Sequence, residues 1–139
     1  MALYAALLYY PEERYWTNPK EAEAVLPEYR KFHAAAIAAG VERGAQALHP
    51  VGTATTITVA GGKGGDVMVT DGPYAEAKEV LGGFVLIEVE DLDEAIRWAA
   101  RIPTAWRGKV ELRPRRRSAA GRARSRPQPP GYGRSRACG

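Results

Sequence analysis

The sequence has few of the residues on which covalent and metal chemistry commonly depend. It contains one cysteine, Cys138, and two histidines, and its serines all follow residue 117. A single cysteine excludes an intrachain disulfide, and this set cannot supply a closed zinc site of Cys and His ligands. No serine lies in a nucleophile elbow, and the glycines of residues 61–65 lack the Gly-Lys-Ser/Thr ending of a phosphate loop. We therefore expect no metal, no cofactor and no covalent serine catalysis.

Long apolar runs are absent as well. None approaches the roughly 18 residues that a membrane-spanning helix needs. The first residues carry neither a basic segment nor a cleavage site after an apolar core. These absences predict a cytoplasmic protein with no membrane partner.

Acidic residues are missing from the C-terminal segment. Residues 115–139 hold eight arginines and no Asp or Glu, which leaves 12 basic against 16 acidic residues in the rest of the chain. The net charge of +4 is therefore the sum of a basic C-terminal segment and an acidic remainder. Its Arg, Ala, Gly, Pro and Ser cannot bury enough surface to offset the entropy of ordering. We predict one domain over residues 1–114 and a disordered tail over residues 115–139. The tail either contacts nucleic acid weakly and without specificity or has no function, since Tyr132 is its only aromatic residue.

The first half of the predicted domain begins with a strand and a helix. Residues 3–10 are aliphatic and aromatic, which indicates a buried strand. Asn18 and Pro19 suit the cap and first position of a helix, and Gly40 suits its C-terminal end. We expect Pro27 to break or kink this helix.

The remaining segments predict five further strands and a second helix. Asp91 and Glu94 form a capping-box pattern before a helix whose apolar stripe runs from Leu92 to Ala99 and which stops before Pro103. The predicted strands cover residues 41–48, 53–59, 67–70, 84–90 and 109–113, the second and third joined as a hairpin. Short antiparallel strands with two helices on one face indicate a ferredoxin-like α+β plait with an inserted β-hairpin.

The stretch from Thr70 to Pro103 joins a charged turn, a strand and an amphipathic helix. It resembles the YCII-related family, in particular the branch named for an Asp-Gly-Pro-Phe motif. Here the motif is Asp71-Gly72-Pro73 followed by Tyr74 in place of Phe. The resemblance implies a small α+β fold of the dimeric α/β-barrel type, paired face to face, and it implies no settled reaction.

Asp71 is the first candidate for catalysis. Gly72 and Pro73 fix a bend that can hold its carboxylate at the end of a strand, as a proton acceptor or as a group that orients a histidine. The alternative is that Asp71 only accepts hydrogen bonds from its own turn. Two histidines are candidate partners: His49, in a loop before Pro50, and His33, on the first helix. We favour His49 because a loop at a strand end reaches the Asp71 turn more easily.

Five further residues are candidates for ligand binding. Tyr29 lies near the position where the wider family often has a histidine, and Arg30 follows it. Tyr74, Glu76 and Lys78 belong to the turn of the branch motif. Arg30 or Lys78 would hold a small anionic or phenolic ligand, whereas the alternative for the turn is a solvated segment of mixed charge.

Two classes of function follow from these candidates. The first is a small-molecule-binding module or an accessory or regulatory protein without established activity. The second is a lyase or isomerase with Asp–His acid–base chemistry, since the resemblance includes a dehydrochlorinase of a chlorinated aromatic. Apolar residues on both faces of the strands at 3–10 and 84–86 further predict a homodimer.

Overall fold

The computed structural model describes residues 1–12 and 19–117. The helices are α1 (Pro19–Ala38), α2 (Leu92–Ala99) and α3 (Thr104–Arg107). The strands are β1 (Ala2–Pro11), β2 (Glu42–Ala47), β3 (Thr55–Ala60), β4 (Asp66–Asp71), β5 (Glu79–Val89) and β6 (Lys109–Pro114). The predicted tail lies outside the described residues from residue 118 onward, and so does the predicted cap Asn18.

Four strands form one antiparallel sheet in the order β2-β5-β1-β6. The long central strands β1 and β5 pair from Ala2 with Val89 to Pro11 with Glu79. The strands β3 and β4 pair only with each other, as a hairpin inserted between β2 and β5. This is the ferredoxin-like α+β arrangement with an inserted hairpin that the sequence predicted.

The core lies between the helices and one face of the sheet. Alternate residues of β1 and β5 are buried, with Ile87 and Val89 fully inaccessible to solvent. Phe32 of α1 and Ala95 of α2 pack against this face. Burying one large aliphatic side chain contributes about 1.5–3 kcal/mol, so this alternation fixes the register of both strands.

Helix α1 continues through Pro27, so the break that we expected there as an alternative to a kink is not observed. The carbonyl that Pro27 leaves without an amide donor belongs to Glu23, which is exposed, so water can satisfy it. The predicted end at Gly40 is confirmed, since Gly40 has a φ of 71°. The amide of Val41 donates to the carbonyl of Ala36 at 2.9 Å, as in a Schellman motif.

The predicted cap of α2 is confirmed, since Asp91 accepts a 2.9 Å hydrogen bond from the amide of Glu94. The second half of the capping box is displaced by one residue, because the Glu94 carboxylate accepts at 3.0 Å from the amide of Glu90 and not from that of Asp91. The apolar stripe is narrower than predicted, because Leu92 and Ile96 are half exposed. Only the alanines of the stripe are buried in the core.

Two further differences concern the start of β5 and the segment before β6. Strand β5 begins at Glu79, five residues earlier than predicted, so Glu79 belongs to the sheet and its carboxylate lies 2.5 Å from the ammonium of Lys109. The short helix α3 was not predicted. Gly108 follows it so close to β1 that a Cβ atom there would come within 2.1 Å of the Tyr9 carbonyl oxygen. No helix among the described residues is long and apolar enough to cross a bilayer.

Candidate functional site

A cavity of about 450 Å³ lies between α1 and the core-facing side of β1, β2 and β5. Its walls are mostly apolar, and its polar side chains come from α1, β1, β2 and α3. The residues that line it are Leu8, Tyr10, Ala22, Val25, Leu26, Tyr29, Arg30, His33, Ala45, Gln46, Ala47, Gly82, Phe84, Val85 and Arg107. Ligand sites in proteins share this size and this balance of apolar wall and few polar groups.

Three hydroxyl groups meet at one end of the cavity. The phenol oxygens of Tyr10 and Tyr29 are hydrogen-bonded to each other, and each lies 2.6 Å from Oγ1 of Thr104. Thr104 is fully buried and Tyr10 is 8% exposed. We call these three residues the hydroxyl cluster. It ties three elements together, since its members lie on β1, α1 and α3.

The surroundings of Tyr10 keep its phenol protonated. Burial raises the pKa of Tyr10 well above its ordinary value, and the hydrogen bond and the nearby phenol of Tyr29 raise it further. The hydrogen bond from Thr104 and the charge of Arg107 act in the opposite direction without outweighing burial. Tyr10 is therefore a neutral group that can donate or accept one hydrogen bond through its O–H.

Arg107 brings a positive charge to the same end. Its guanidinium carbon lies 5.4 Å from the centroid of the Tyr10 ring, and its Nη2 lies 3.2 Å from Oε1 of Glu21. The side chain is 17% exposed, and its Nε is buried without a hydrogen-bond partner among the described residues. A buried donor left unpaired costs free energy, and Arg107 lines the cavity, so a ligand oxygen that reached this side of the guanidinium would be stabilised.

His33 lies in the cavity wall and is paired with a carboxylate. Its Nδ1 lies 2.5 Å from Oε1 of Glu42, which is 12% exposed. The turn at Gly40 brings β2 back beside the last turns of α1, which places Glu42 against His33. With Nδ1 held by Glu42, Nε2 is the nitrogen that can serve a bound molecule.

Three of the predicted site residues line the cavity: Tyr29, Arg30 and His33. Their spacing on α1 turns them toward the same side of the helix. Tyr29 and His33 are half-buried, whereas Arg30 is exposed at the rim.

The other predicted site residues lie elsewhere. Asp71 is the last residue of β4, where it pairs across the hairpin with Thr55, and it does not line the cavity. Within the described residues, neither histidine is hydrogen-bonded to Asp71, and His33 is bonded to Glu42 instead. The predicted site residues that are exposed and lie outside the cavity are His49, Asp71, Tyr74, Glu76 and Lys78.

The turn after β4 is held by its own hydrogen bonds. Gly72 has a φ of 99°, and its amide donates to the carbonyl of Ala54 at 2.7 Å. The hydroxyl of Thr56 donates to the Gly72 carbonyl at 2.8 Å. Tyr74 next to it is 89% exposed. The motif therefore forms a fixed bend at the edge of the hairpin.

Four residues of the site were not found from the sequence: Tyr10, Glu42, Thr104 and Arg107. Tyr10 had one signal, because it continues the buried alternation of β1 with a polar tip. The others come from segments without a motif. Among residues 1–12 and 19–117, no three His, Cys, Asp or Glu side chains come together as metal ligands.

Comparison with known proteins gives a consistent result. A family model described as the YCII-related domain matches residues 2–117. An uncharacterized protein of Rhizobium meliloti (strain 1021) is 34% identical over 116 residues, which cover 81% of this chain and 90% of that protein.

Proposed function

The chain belongs to the YCII-related family, and on that premise we propose that it binds a small organic molecule in the cavity between α1 and the sheet. The observation that carries this proposal is the convergence of the hydroxyl cluster and Arg107 at one end of a mostly apolar cavity. Such a division between an apolar body and one polar end is typical of sites that orient a small ligand. We further propose that the chain is cytoplasmic and that Asp71-Gly72-Pro73 places it in the branch named for that motif.

A second candidate function is acid–base catalysis of the lyase or isomerase type. The observation that favours it is the pair formed by His33 and Glu42 in the cavity wall. A carboxylate that holds Nδ1 fixes the orientation of the imidazole, so Nε2 could take a proton from a bound molecule. In this proposal Glu42 takes the orienting role for which the sequence suggested Asp71.

We propose also that two copies of the chain associate through the second face of the sheet. The side chains of Ala5, Leu7 and Tyr9 point away from the core and are only half-buried within one chain. Leu86 on the paired strand has the same exposure. Apolar groups in the middle of a sheet are stabilised when a second layer covers them.

The binding proposal is tested by filling the cavity. Ala22 lines the cavity, and Ala24 on the same helix is exposed outside it. Thermal shift across a panel of small organic acids, phenols and their neutral analogues would be measured for the parent, Ala22→Phe and Ala24→Phe. We expect stabilisation by at least one panel molecule in the parent and in Ala24→Phe, and its loss in Ala22→Phe. Equal shifts in all three proteins would contradict binding in this cavity.

A further inference from the structure

The ionisable side chains that line the cavity, apart from its tyrosines, are two arginines and one histidine. They are Arg30, His33 and Arg107, and no Asp or Glu is among the lining residues. Glu21 lies just outside and contacts one nitrogen of Arg107. Glu42 likewise contacts His33 without lining the cavity. Although the chain is acidic outside its C-terminal segment, the charged side chains that face the contents of the cavity are therefore basic.

From this arrangement we infer that the ligand is a monocarboxylate with a flat apolar body, whose carboxylate is received by Arg107 together with the hydroxyl cluster. The inference rests on the proposed function, because it concerns the same cavity, and it adds the chemical class of the ligand and the residues that select it.

Arg107 carries the first step of the argument. A guanidinium has five N–H donors in a planar fork that matches the two oxygens of a carboxylate. Glu21 occupies Nη2 only, and the buried Nε has no partner among the described residues. A carboxylate that accepts from the Nε side of the guanidinium would give a partner to a donor that neither the described residues nor solvent satisfies. An amide or an alcohol would satisfy it with a weaker, uncharged hydrogen bond.

The hydroxyl cluster carries the second step. Its three O–H groups bond to one another, and a hydroxyl proton rotates to suit an acceptor that arrives. The ring of Tyr10 lies beside the Arg107 guanidinium, so the two donors serve the same end of the cavity. A neutral phenol donates to an anion, whereas an ionised phenol would repel it. A carboxylate oxygen can therefore be bound by the guanidinium and by one tyrosine O–H together.

The apolar walls define the rest of the ligand. Leu8, Val25, Leu26 and Val85 supply apolar walls of the cavity. Arg107, which already contacts Glu21, is the inner cation, whereas Arg30 is exposed at the rim, so the inner end offers a ligand less than two positive charges. A phosphate dianion would leave one charge without compensation in an apolar space, which is unfavourable. A monoanion joined to an aromatic or similarly flat group meets both requirements.

The test compares benzoate with benzamide, which has the same shape and no charge, by isothermal titration calorimetry on the full-length chain. We expect the parent to bind benzoate about 10-fold or more tightly than benzamide. Arg107→Gln should bring this ratio close to one while benzamide binding is retained, which shows that the cavity is intact. The matched control is Arg101→Gln, since Arg101 stacks on Trp98 and does not line the cavity. It should keep the parent ratio.

A second variant keeps the test decisive if Arg107→Gln does not fold. Tyr29→Phe removes one hydroxyl of the cluster from a half-buried helix position and should lower the ratio several-fold. The inference is overturned if the parent binds benzamide as well as benzoate, if phenyl phosphate binds more tightly than benzoate, or if neither probe binds at millimolar concentration. If the parent binds both probes equally and Ala22→Phe abolishes this binding, the inference is overturned and the proposed function still stands. The absence of any thermal shift with the wider panel would count against both.

Discussion

The hydroxyl of Tyr29 lies 2.6 Å from Oγ1 of Thr104, 75 residues further along the chain. This contact joins the first helix to the short helix that precedes the last strand. Because Tyr10 of β1 bonds to both groups, the inner end of the cavity is also a junction of three elements. The residues proposed to orient a ligand here therefore also contribute to stability, and mutations must be assessed for both effects.

The first prediction concerns this junction. Thr104→Val removes the hydroxyl that both tyrosines contact and should lower the free energy of unfolding by about 1–3 kcal/mol, because buried phenol groups lose a partner. Tyr29→Phe should cost about 1 kcal/mol, since Tyr10 and Thr104 still bond to each other. Urea denaturation measures both. Tyr74→Phe, at an exposed position, is the control and should change nothing. Equal stability of Thr104→Val and the parent would contradict the junction.

The second prediction concerns alkaline pH. Burial raises the folded-state pKa of Tyr10 above the unfolded value near 10. Between these two values the unfolded chain releases the proton and the folded chain keeps it, so stability falls as pH rises. The contribution is fully present below about pH 10 and is lost above it. The free energy of unfolding should therefore decline from about pH 9 to about pH 11.5 more steeply in the parent than in Tyr10→Phe.

The control for the alkaline experiment is again Tyr74→Phe, which keeps the buried phenol and should follow the parent curve. Parallel curves for Tyr10→Phe and the parent would show that Tyr10 titrates alike in the folded and unfolded chains.

Much of the fold was predictable because local patterns determine it. The alternation of β1 and β5, the capping box at Asp91 and the helix end at Gly40 are each encoded within a few residues. Helix α3 was missed because four residues cannot show helical periodicity. A break of α1 at Pro27, expected as an alternative to a kink, is not observed, because its cost depends on solvent at a carbonyl and on packing further along the helix.

The site was predictable only where one element supplies it. Tyr29 and His33 share a helix face, so one pattern finds both. Glu42, Thr104 and Arg107 reach the cavity through the order of strands and the close approach at Gly108, and no local pattern encodes that. The motif at Asp71 predicted a bend that could hold a catalytic carboxylate. The structure places this bend on the hairpin, outside the lining of the cavity.

The third prediction concerns the imidazole of His33. Its Nδ1 should carry the proton of the neutral ring, because it donates to Glu42. Long-range proton–nitrogen NMR distinguishes the two tautomers, and the chain's only other histidine, His49, is exposed and serves as an internal control. Glu42→Gln should shift the nitrogen resonances of His33 and leave those of His49 unchanged. A proton on Nε2 of His33 in the parent would contradict the orientation that the catalytic candidate requires.

The fourth prediction concerns assembly. If two chains pair through the second face of the sheet, Leu7→Asp should convert a dimer into a monomer, because it places a charge in an apolar interface. Leu92→Asp is the matched control, since Leu92 is half exposed on α2 across the sheet. Light scattering at micromolar concentration measures both. A monomeric parent, or a dimer that Leu92→Asp disrupts and Leu7→Asp does not, would contradict this interface.

The most direct measurement of the central claim is a methyl NMR titration of the full-length chain with benzoate. The reporters inside the cavity are Leu8, Val25, Leu26 and Val85. The internal controls are the exposed hairpin methyl groups of Ile57, Val59, Val67 and Val69. The account predicts saturable shifts of the cavity reporters at one common affinity, with the hairpin methyl groups unchanged. Saturable shifts confined to the hairpin, or none at the cavity reporters, would contradict it.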